Sequence, residues 1–204
     1  MVDRIGEMPR LTLSGMGGEH LEVVEKYKLL GVWVRSDLKW RDNTDYICQK
    51  GYTRLWMLRR LKLLGASQLE LLDVYQKQVR SVLELAVPVW QPALTIKEKI
   101  QIERVQKCAL HIIMGGNYLG YTHALKTLGC EKLEDRRTKL CEKFAWKASQ
   151  HPKFQTWFCK KKTVPPSVNT RAKKKKDIFK YKSVETRTER FQNSPLPYLT
   201  NLLN

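Results

Sequence analysis

The sequence predicts a mainly helical fold, in which a small N-terminal antiparallel β hairpin or meander precedes a three-helix bundle, a helical connector and a basic tail. Apolar and polar residues alternate only within the first 40 residues. Beyond them apolar residues recur at helical spacing, and lysine and arginine are frequent at the end of the chain. The predicted segments are residues 1–40 (hairpin), 41–116 (bundle), 117–158 (connector) and 159–204 (tail with a short C-terminal anchor).

The strand prediction rests on the stretch from Leu29 to Val34, where the side chains alternate with a period of two. Gly31 in its middle indicates a bulge or a close approach by another backbone. Residues 10–14 and 20–24 predict further short strands, joined by the glycine-rich turn at 15–18. A hairpin alone is marginally stable in water, so this sheet needs the following helices, or a further sheet, to cover it.

The first helix is predicted from Asp45 to Gly65, because apolar residues recur at helical spacing between them. Asp42, Asn43 and Thr44 precede it and are residue types that cap helices well. Short connections to the helices that follow indicate antiparallel neighbours in a small bundle.

Two further bundle helices have clear start signals. Ser67 is expected to cap a second helix that continues to a break at Pro88, and Thr95 opens a third that ends at Gly115. The connector then holds a short helix over 122–128 and a longer one over 133–149, which ends before Pro152. The last residues, 191–204, turn apolar again and predict an anchor that docks on the rest of the chain.

Charge is the strongest compositional feature of the chain. The net charge is +18 over 204 residues, and residues 151–204 hold 13 lysines and arginines against three acids, so about +10 lies in that part. Such a balance indicates an anionic partner, of which nucleic acid is the commonest, although a solvated basic surface that aids solubility remains an alternative. The apolar content of 42% is enough for a hydrophobic core.

The sequence has neither a long apolar run nor the apolar centre of a signal peptide, so we expect an intracellular protein, nuclear or cytoplasmic, without a membrane partner. Its five scattered cysteines predict reduced, mainly buried thiols. A metal set of Cys130, Cys141, His151 and Cys159 can be drawn, but its spacings fit no compact zinc finger. We therefore predict no metal and no cofactor.

No catalytic constellation can be assembled from the sequence. The seven aspartates are isolated, without an Asp-Asp pair or a DxD to hold two metal ions. Motifs of the GxxxxGK[ST], GxSxG and HExxH kinds are missing. His111 lies inside the third helix and is expected to be a partly buried structural residue. We predict no catalytic residue and no independent enzymatic activity.

The positive functional signal is a basic helix surface with interleaved aromatic residues. Residues 46–62 contain no acid, and lysine or arginine side chains on such a surface can neutralise phosphates while aromatic rings stack on bases. The predicted nucleic-acid-binding residues are Lys50, Arg54, Arg59, Arg60, Lys62, Lys77, Arg80, Lys173, Lys174, Lys175 and Lys176. For Tyr52 and Trp56, packing inside the bundle is the alternative; for the basic residues, it is a solvated surface.

Several blocks together resemble a known family. In chain order they read YKLLGVWV, DLKW, DYICQKGYTRLWMLRRLK, LLDVYQKQVRSVLELAVPVW and IERVQKCALHIIMG. This order is similar to the C-terminal third of reverse transcriptases from non-LTR (LINE-type, jockey-like) retrotransposons, over residues 10–158. The final SPLPYLTNLLN also resembles the end of such reading frames.

The resemblance implies roles for two parts of the chain. Leu29, Leu30, Gly31 and Val32 match the primer-grip hairpin at the end of the palm, with Leu29 where an aromatic residue is common. The helices after it match the thumb, which holds a template and primer duplex. The family's catalytic aspartates lie upstream of the matched region, so the resemblance implies descent from an RNA-directed DNA polymerase without polymerase activity in this chain.

Three functional hypotheses follow. The first is a reverse transcriptase fragment that binds RNA or an RNA–DNA duplex through phosphate contacts, without sequence specificity. The second is a helical protein-interaction or structural module, in which the exposed bundle surface binds another chain. The third is a decayed element without a selected function.

Overall fold

A computed structural model describes residues 24–154, 156–158 and 181–204, and it confirms the predicted fold class. A two-stranded antiparallel hairpin, β1 (Lys26–Leu29) and β2 (Val32–Arg35), precedes a set of helices. The helices are α1 (Arg41–Leu63), α2 (Gln68–Val74), α3 (Ser81–Leu83), α4 (Val87–Trp90), α5 (Ile96–Met114), α6 (Tyr121–Thr127), α7 (Leu133–Gln150), α8 (Glu189–Gln192) and α9 (Pro195–Leu202). The strand predicted over 10–14, all of the strand predicted over 20–24 except Val24, and most of the basic tail lie outside the described residues; Val24 itself precedes β1 and is not in a strand.

The prediction of one continuous strand from Leu29 to Val34 is wrong, because the chain reverses in its middle. Leu30 and Gly31 have φ angles of +47° and +87° and form the two-residue turn between β1 and β2. Positive φ angles at both central residues suit the right-handed twist of a tight hairpin, and glycine adopts them without steric cost. Leu29 therefore pairs with Val32, and Lys28 with Trp33, across the hairpin.

Helix α1 begins earlier than predicted, directly after the buried Trp40. Asp42, Asn43 and Thr44 consequently lie within its first turn and do not cap it. Asn43 instead accepts a hydrogen bond from the backbone N–H of Trp33 (3.2 Å), while Asp42 pairs with Arg35 (2.9 Å). These polar residues attach the hairpin to α1, which supplies the cover that an isolated hairpin needs.

The bundle packs α1 against α5 and against the continuous run of α2, a π-helical segment (Tyr75–Arg80) and α3. Both predicted caps are confirmed: Ser67 and Thr95 form capping boxes with Glu70 and Glu98. Each box satisfies backbone N–H groups that a helix start would otherwise leave without a partner. The core between the helices is formed by Leu55, Leu58, Leu71, Val79, Leu83, Ile102, Val105 and Leu110, each at most 1% exposed.

The predicted break at Pro88 is misplaced. Helix α3 already ends at Leu83, Ala86 adopts a left-handed conformation with a φ of +52°, and Pro88 then lies in the first turn of α4. Proline is tolerated there because the first backbone N–H groups of a helix have no intrahelical acceptor. The short α4 directs Trp90 into the core, where it is completely buried.

The connector and the C-terminal residues pack on the bundle. Helix α7 contacts α4 and α5, and α9 contacts α7 and α4. Leu199 is 2% exposed, so the predicted docking of the apolar C-terminal segment is confirmed. The side chain of Asn204 also accepts a hydrogen bond from the backbone N–H of Tyr181 (2.8 Å).

Two other predictions have mixed outcomes. His111 is exposed, and its ring makes an edge contact with Tyr118 at 4.8 Å between centroids, so the expectation of partial burial is wrong. Cys48 and Cys141 are buried free thiols, and burial raises the pKa of each to about 12. Cys108, in contrast, is exposed, and Cys159 lies outside the described residues.

Candidate nucleic-acid interface

Cationic and aromatic side chains meet where the hairpin lies against α1. The ammonium group of Lys28 donates to the hydroxyl of Tyr46 (2.6 Å) and lies 4.2 Å from its ring centroid, and Lys50 lies 4.6 Å from the same ring. Because Lys28 and then Lys50 stabilise the phenolate form, they lower the pKa of Tyr46. Lys28, Tyr46 and Lys50 are called the lysine–tyrosine cluster below.

The open end of the hairpin, where Lys26 pairs with Arg35 across the strands, has its charges paired. Arg35 contacts Asp37 (3.0 Å) and Asp42 (2.9 Å), and Lys26 lies 3.5 Å from Asp42. The hydrogen bond from Arg35 lowers the pKa of Asp42, which keeps that carboxylate ionised. Among the residues that the structure describes, Lys28 and Lys50 form no ion pair, so the cluster keeps its positive charge.

The outward side of α1 continues this basic surface. Tyr52 is 41% exposed and Trp56 is 66% exposed, and Arg59 and Arg60 follow Trp56 at three and four residues. Residues at these spacings are neighbours on one side of a helix. We call these four residues the α1 face. The alternative in which Trp56 packs inside the bundle is wrong.

Neither arginine of the α1 face is neutralised. Within the described ranges, Arg59 and Arg60 form no ion pair, and both are exposed. Together with the lysine–tyrosine cluster they give an acid-free surface along α1 from Tyr46 to Arg60. At 1.5 Å of rise per residue, this surface is roughly 20 Å long, which is long enough to meet several successive phosphates.

Two predicted binding residues of α1 are used within the fold. Arg54 donates to the backbone carbonyl of Gln78 in the π-helical segment. Lys62 donates to the carbonyls of Ile112 and Ile113 (3.3 Å to the latter) in the last turn of α5. A cation there satisfies carbonyls that the helix end leaves open and interacts well with the helix dipole. Both side chains are only partly exposed.

The remaining predicted cations are paired or lie elsewhere. Lys77 pairs with Asp73 (2.7 Å), and Arg80 lies 3.8 Å from Glu84. Lys173, Lys174, Lys175 and Lys176 lie outside the described residues. Arg137, although basic, is completely buried in α7 and donates to the side chain of Gln91 (2.8 Å), so it does not contribute to the surface.

The four residues that match the primer grip form the tip of the hairpin. Leu30 is 91% exposed and Leu29 is 57% exposed, whereas Val32 is buried. An added Cβ at Gly31 would lie 3.2 Å from Leu85, which is also exposed, so the tip is next to the end of α3. The tip is apolar and distinct in character from the lysine–tyrosine cluster.

The sequence prediction missed Lys28 and Tyr46. The sequence does not indicate Lys28, because its partner Tyr46 is 18 residues further along the chain and only the folded hairpin brings the two together. Tyr46 precedes Lys50 by one helical turn, which is the spacing that brings a lysine onto a tyrosine ring. That spacing could have identified the pair.

Other kinds of site receive no support in the described part of the chain. There, no group of three or more histidine, cysteine or acidic side chains is placed to hold a metal ion. Nor does any helix of these residues have the length and apolar content needed to cross a bilayer.

Comparisons with known proteins leave the resemblance without independent support. No protein-family model, no curated protein and no solved structure matches the chain.

Proposed function

We propose that this chain is a nucleic-acid-binding fragment related to the reverse transcriptases of non-LTR retrotransposons, without polymerase activity of its own. One observation carries the binding proposal: α1 carries no acid from Tyr46 to Arg60, and its exposed Lys50, Arg59 and Arg60, together with Lys28 of the hairpin, are accompanied by the half-buried Tyr46 and the exposed Tyr52 and Trp56. Kinship with that family rests on the sequence blocks alone. The partner class is RNA or an RNA–DNA duplex, held through its phosphates.

The physical basis of this binding is counterion release. Each cation that meets a phosphate frees a condensed counterion, so affinity falls with salt in proportion to the number of contacts. Four cations on a duplex give a slope of log K against log[salt] near −3.6, or a loss of about 150-fold between about 50 and about 200 mM salt. Bases are not read by such contacts, so binding is independent of sequence.

Replacement of both arginines of the α1 face, Arg59→Gln with Arg60→Gln, is expected to weaken binding to a labelled 20-base-pair RNA–DNA duplex. The slope against log[salt] should become shallower by about 1.8, because two phosphate contacts are removed. Fluorescence anisotropy over a salt series measures both quantities with the full chain. Since both side chains are exposed, the thermal unfolding curve should not change.

The matched control for this variant removes the same charge elsewhere. Lys143 and Lys147 are exposed on α7, and Lys143→Gln with Lys147→Gln should leave the slope within experimental error of the wild type. If affinity is the same at low and high salt, or if both double variants lose affinity equally, phosphate binding along α1 is refuted.

Addition of nucleotides to the same assay on a primed RNA template should yield no extension; an extended product would refute the fragment proposal.

A second candidate function rests on the apolar tip of the hairpin. Tyr27, Leu29 and Leu30 are 63%, 57% and 91% exposed, and Leu85 beside them is 45% exposed. Contiguous apolar surface of this kind is typical of contacts with another protein, here a second copy of the chain.

If this second function holds, the wild type should sediment as a concentration-dependent oligomer. Leu29→Lys with Leu30→Asn should then sediment as a monomer at all concentrations. Asparagine keeps the left-handed backbone of the turn available, so the hairpin is preserved. A monomeric wild type would exclude this candidate and leave the nucleic-acid proposal untouched.

A further inference from the structure

The residues of the α1 face indicate whether it binds single-stranded or double-stranded nucleic acid. This inference rests on the proposed function. Phosphate contacts alone do not distinguish a duplex from a single strand. An aromatic ring does, because it stacks on the flat surface of a base, and in a duplex these surfaces are covered by neighbouring base pairs.

Trp56 has the exposure that stacking requires. It is the single tryptophan of α1 and presents 66% of its surface. In the part of the chain that the structure describes, its ring takes part in neither an aromatic pair nor a cation–π contact, in contrast to Trp33 and Tyr46. The ring is therefore available to a ligand.

The neighbours of Trp56 suit a strand with its bases turned toward the helix. Tyr52, one turn earlier, is 41% exposed, and Arg59 and Arg60 are one turn later. A base stacked on Trp56 would place its own phosphates within reach of these guanidinium groups, while Tyr52 offers a second ring about 6 Å along the helix axis.

The most comparable tryptophan elsewhere has a different setting. Trp146 on α7 is 61% exposed, which is close to the exposure of Trp56. Its helix neighbour one turn earlier, however, is the acid Glu142, and an acid repels a phosphate backbone. Trp56 and Trp146 are thus similarly exposed. An acid lies one turn before Trp146, however, whereas α1 has no acid between Tyr46 and Arg60.

We propose that the α1 face selects single-stranded RNA or DNA over duplex, with Trp56 as the platform on which an unpaired base stacks and Arg59 and Arg60 as its phosphate contacts. Stacking on an aromatic side chain tolerates every base, so this selectivity concerns strandedness and not sequence.

The test compares one variant on two ligands. Trp56→Ala should weaken binding of the full chain to a 20-nucleotide oligouridylate by about tenfold or more. The same variant should bind a 20-base-pair RNA–DNA duplex within about twofold of the wild type. The salt slope on the oligouridylate should not change, because no phosphate contact is lost.

Three controls separate stacking from a structural effect. Trp56→Phe keeps a stacking surface and should restore most of the affinity, while Trp146→Ala should bind both ligands as the wild type does. Stacking also quenches indole emission, so titration of the wild type with oligouridylate should quench tryptophan fluorescence. The quenching that arises from Trp56 should be absent in Trp56→Phe, although this variant still binds.

Each contrary outcome identifies which proposal fails. Equal weakening on both ligands, or no weakening on either, overturns the selection of single strands. If Trp56→Ala weakens binding to neither ligand but Arg59→Gln with Arg60→Gln still does, the phosphate-binding proposal stands. If the wild type binds neither ligand at low salt, both proposals fail.

Discussion

Trp90→Ala is expected to destabilise the protein by about 3–5 kcal/mol, since deletion of a large buried aromatic side chain loses transfer free energy and leaves a cavity. Trp90 is completely buried, and the short α4 that carries it contacts α7 and α9. Its indole N–H donates to the backbone carbonyl of Leu85 (2.8 Å), so the substitution also leaves that carbonyl without its partner.

Urea unfolding followed by ellipticity at 222 nm measures this loss. Trp90→Phe separates the two contributions, because it keeps most of the apolar volume and loses the hydrogen bond; a cost of about 1–3 kcal/mol is expected. Trp146→Ala, at a position that is 61% exposed, serves as the control and should change stability by less than about 0.5 kcal/mol. A cost below about 1 kcal/mol for Trp90→Ala would show that α4 does not belong to the cooperative core.

Gly51→Val is expected to cost about 2–3 kcal/mol, because the position lies where α1 crosses α5 and has no room for a side chain. An added Cβ at Gly51 would lie 2.9 Å from a methyl group of Val105 and 3.2 Å from Leu83. Glycine in a helix interior normally costs up to about 1 kcal/mol relative to alanine. The close approach of the two helices explains why it is used here.

A double-mutant cycle tests this steric explanation. Val105→Ala removes the methyl group that the new side chain would meet, so Gly51→Val with Val105→Ala should be less destabilised than the sum of the two single variants. A favourable coupling of about 1 kcal/mol or more is expected for residues in direct contact. Strict additivity would show that the helices move apart and that the glycine does not set their separation.

Local signals in the sequence were sufficient to predict most of the helical fold. Ser67 and Thr95 each precede a glutamate by three residues, and this pattern reports a helix start without reference to the rest of the chain. Glycine at 65 and 115 likewise marked the ends of the first and third helices. The position of these elements depends on contacts within one or two turns, which a sequence displays directly.

The sequence predictions are wrong where the conformational preference of a residue is ambiguous or where a tertiary contact overrides it. Leu30-Gly31 is not one of the dipeptides that usually form a two-residue hairpin turn, so the alternation around it indicated one strand. Pro88 indicated a helix end, but a proline suits the first turn of a helix equally well. Asn43 and Thr44 are residue types that cap helices, but the side chain of Asn43 accepts a hydrogen bond from Trp33 of the hairpin. Its role is therefore decided by a tertiary contact.

Only part of the candidate site could be predicted from the sequence, because contacts between distant residues decide which cations stay exposed. The absence of acids in residues 46–62 is a property of the sequence, and it favours Arg59 and Arg60, both of which are exposed in the structure. The hydrogen bonds of Arg54 to Gln78 and of Lys62 to Ile112 join residues 24 and 50 positions apart. Which cations remain exposed is therefore decided by packing, and helical periodicity alone could not show it.

The π-helical segment sets the rotational phase of the second bundle helix. The buried residues Leu71, Tyr75, Val79 and Leu83 follow one another at intervals of four, whereas an α-helix turns once in 3.6 residues and would rotate such a series by about 40° at each step. The wider i→i+5 turn of residues 75–80 absorbs this drift and keeps all four side chains directed at α1 and α5. In a continuous α-helix, the three intervals of four residues would rotate Leu83 by about 120° relative to Leu71. The π-helical form of this segment, as much as its composition, therefore specifies the core.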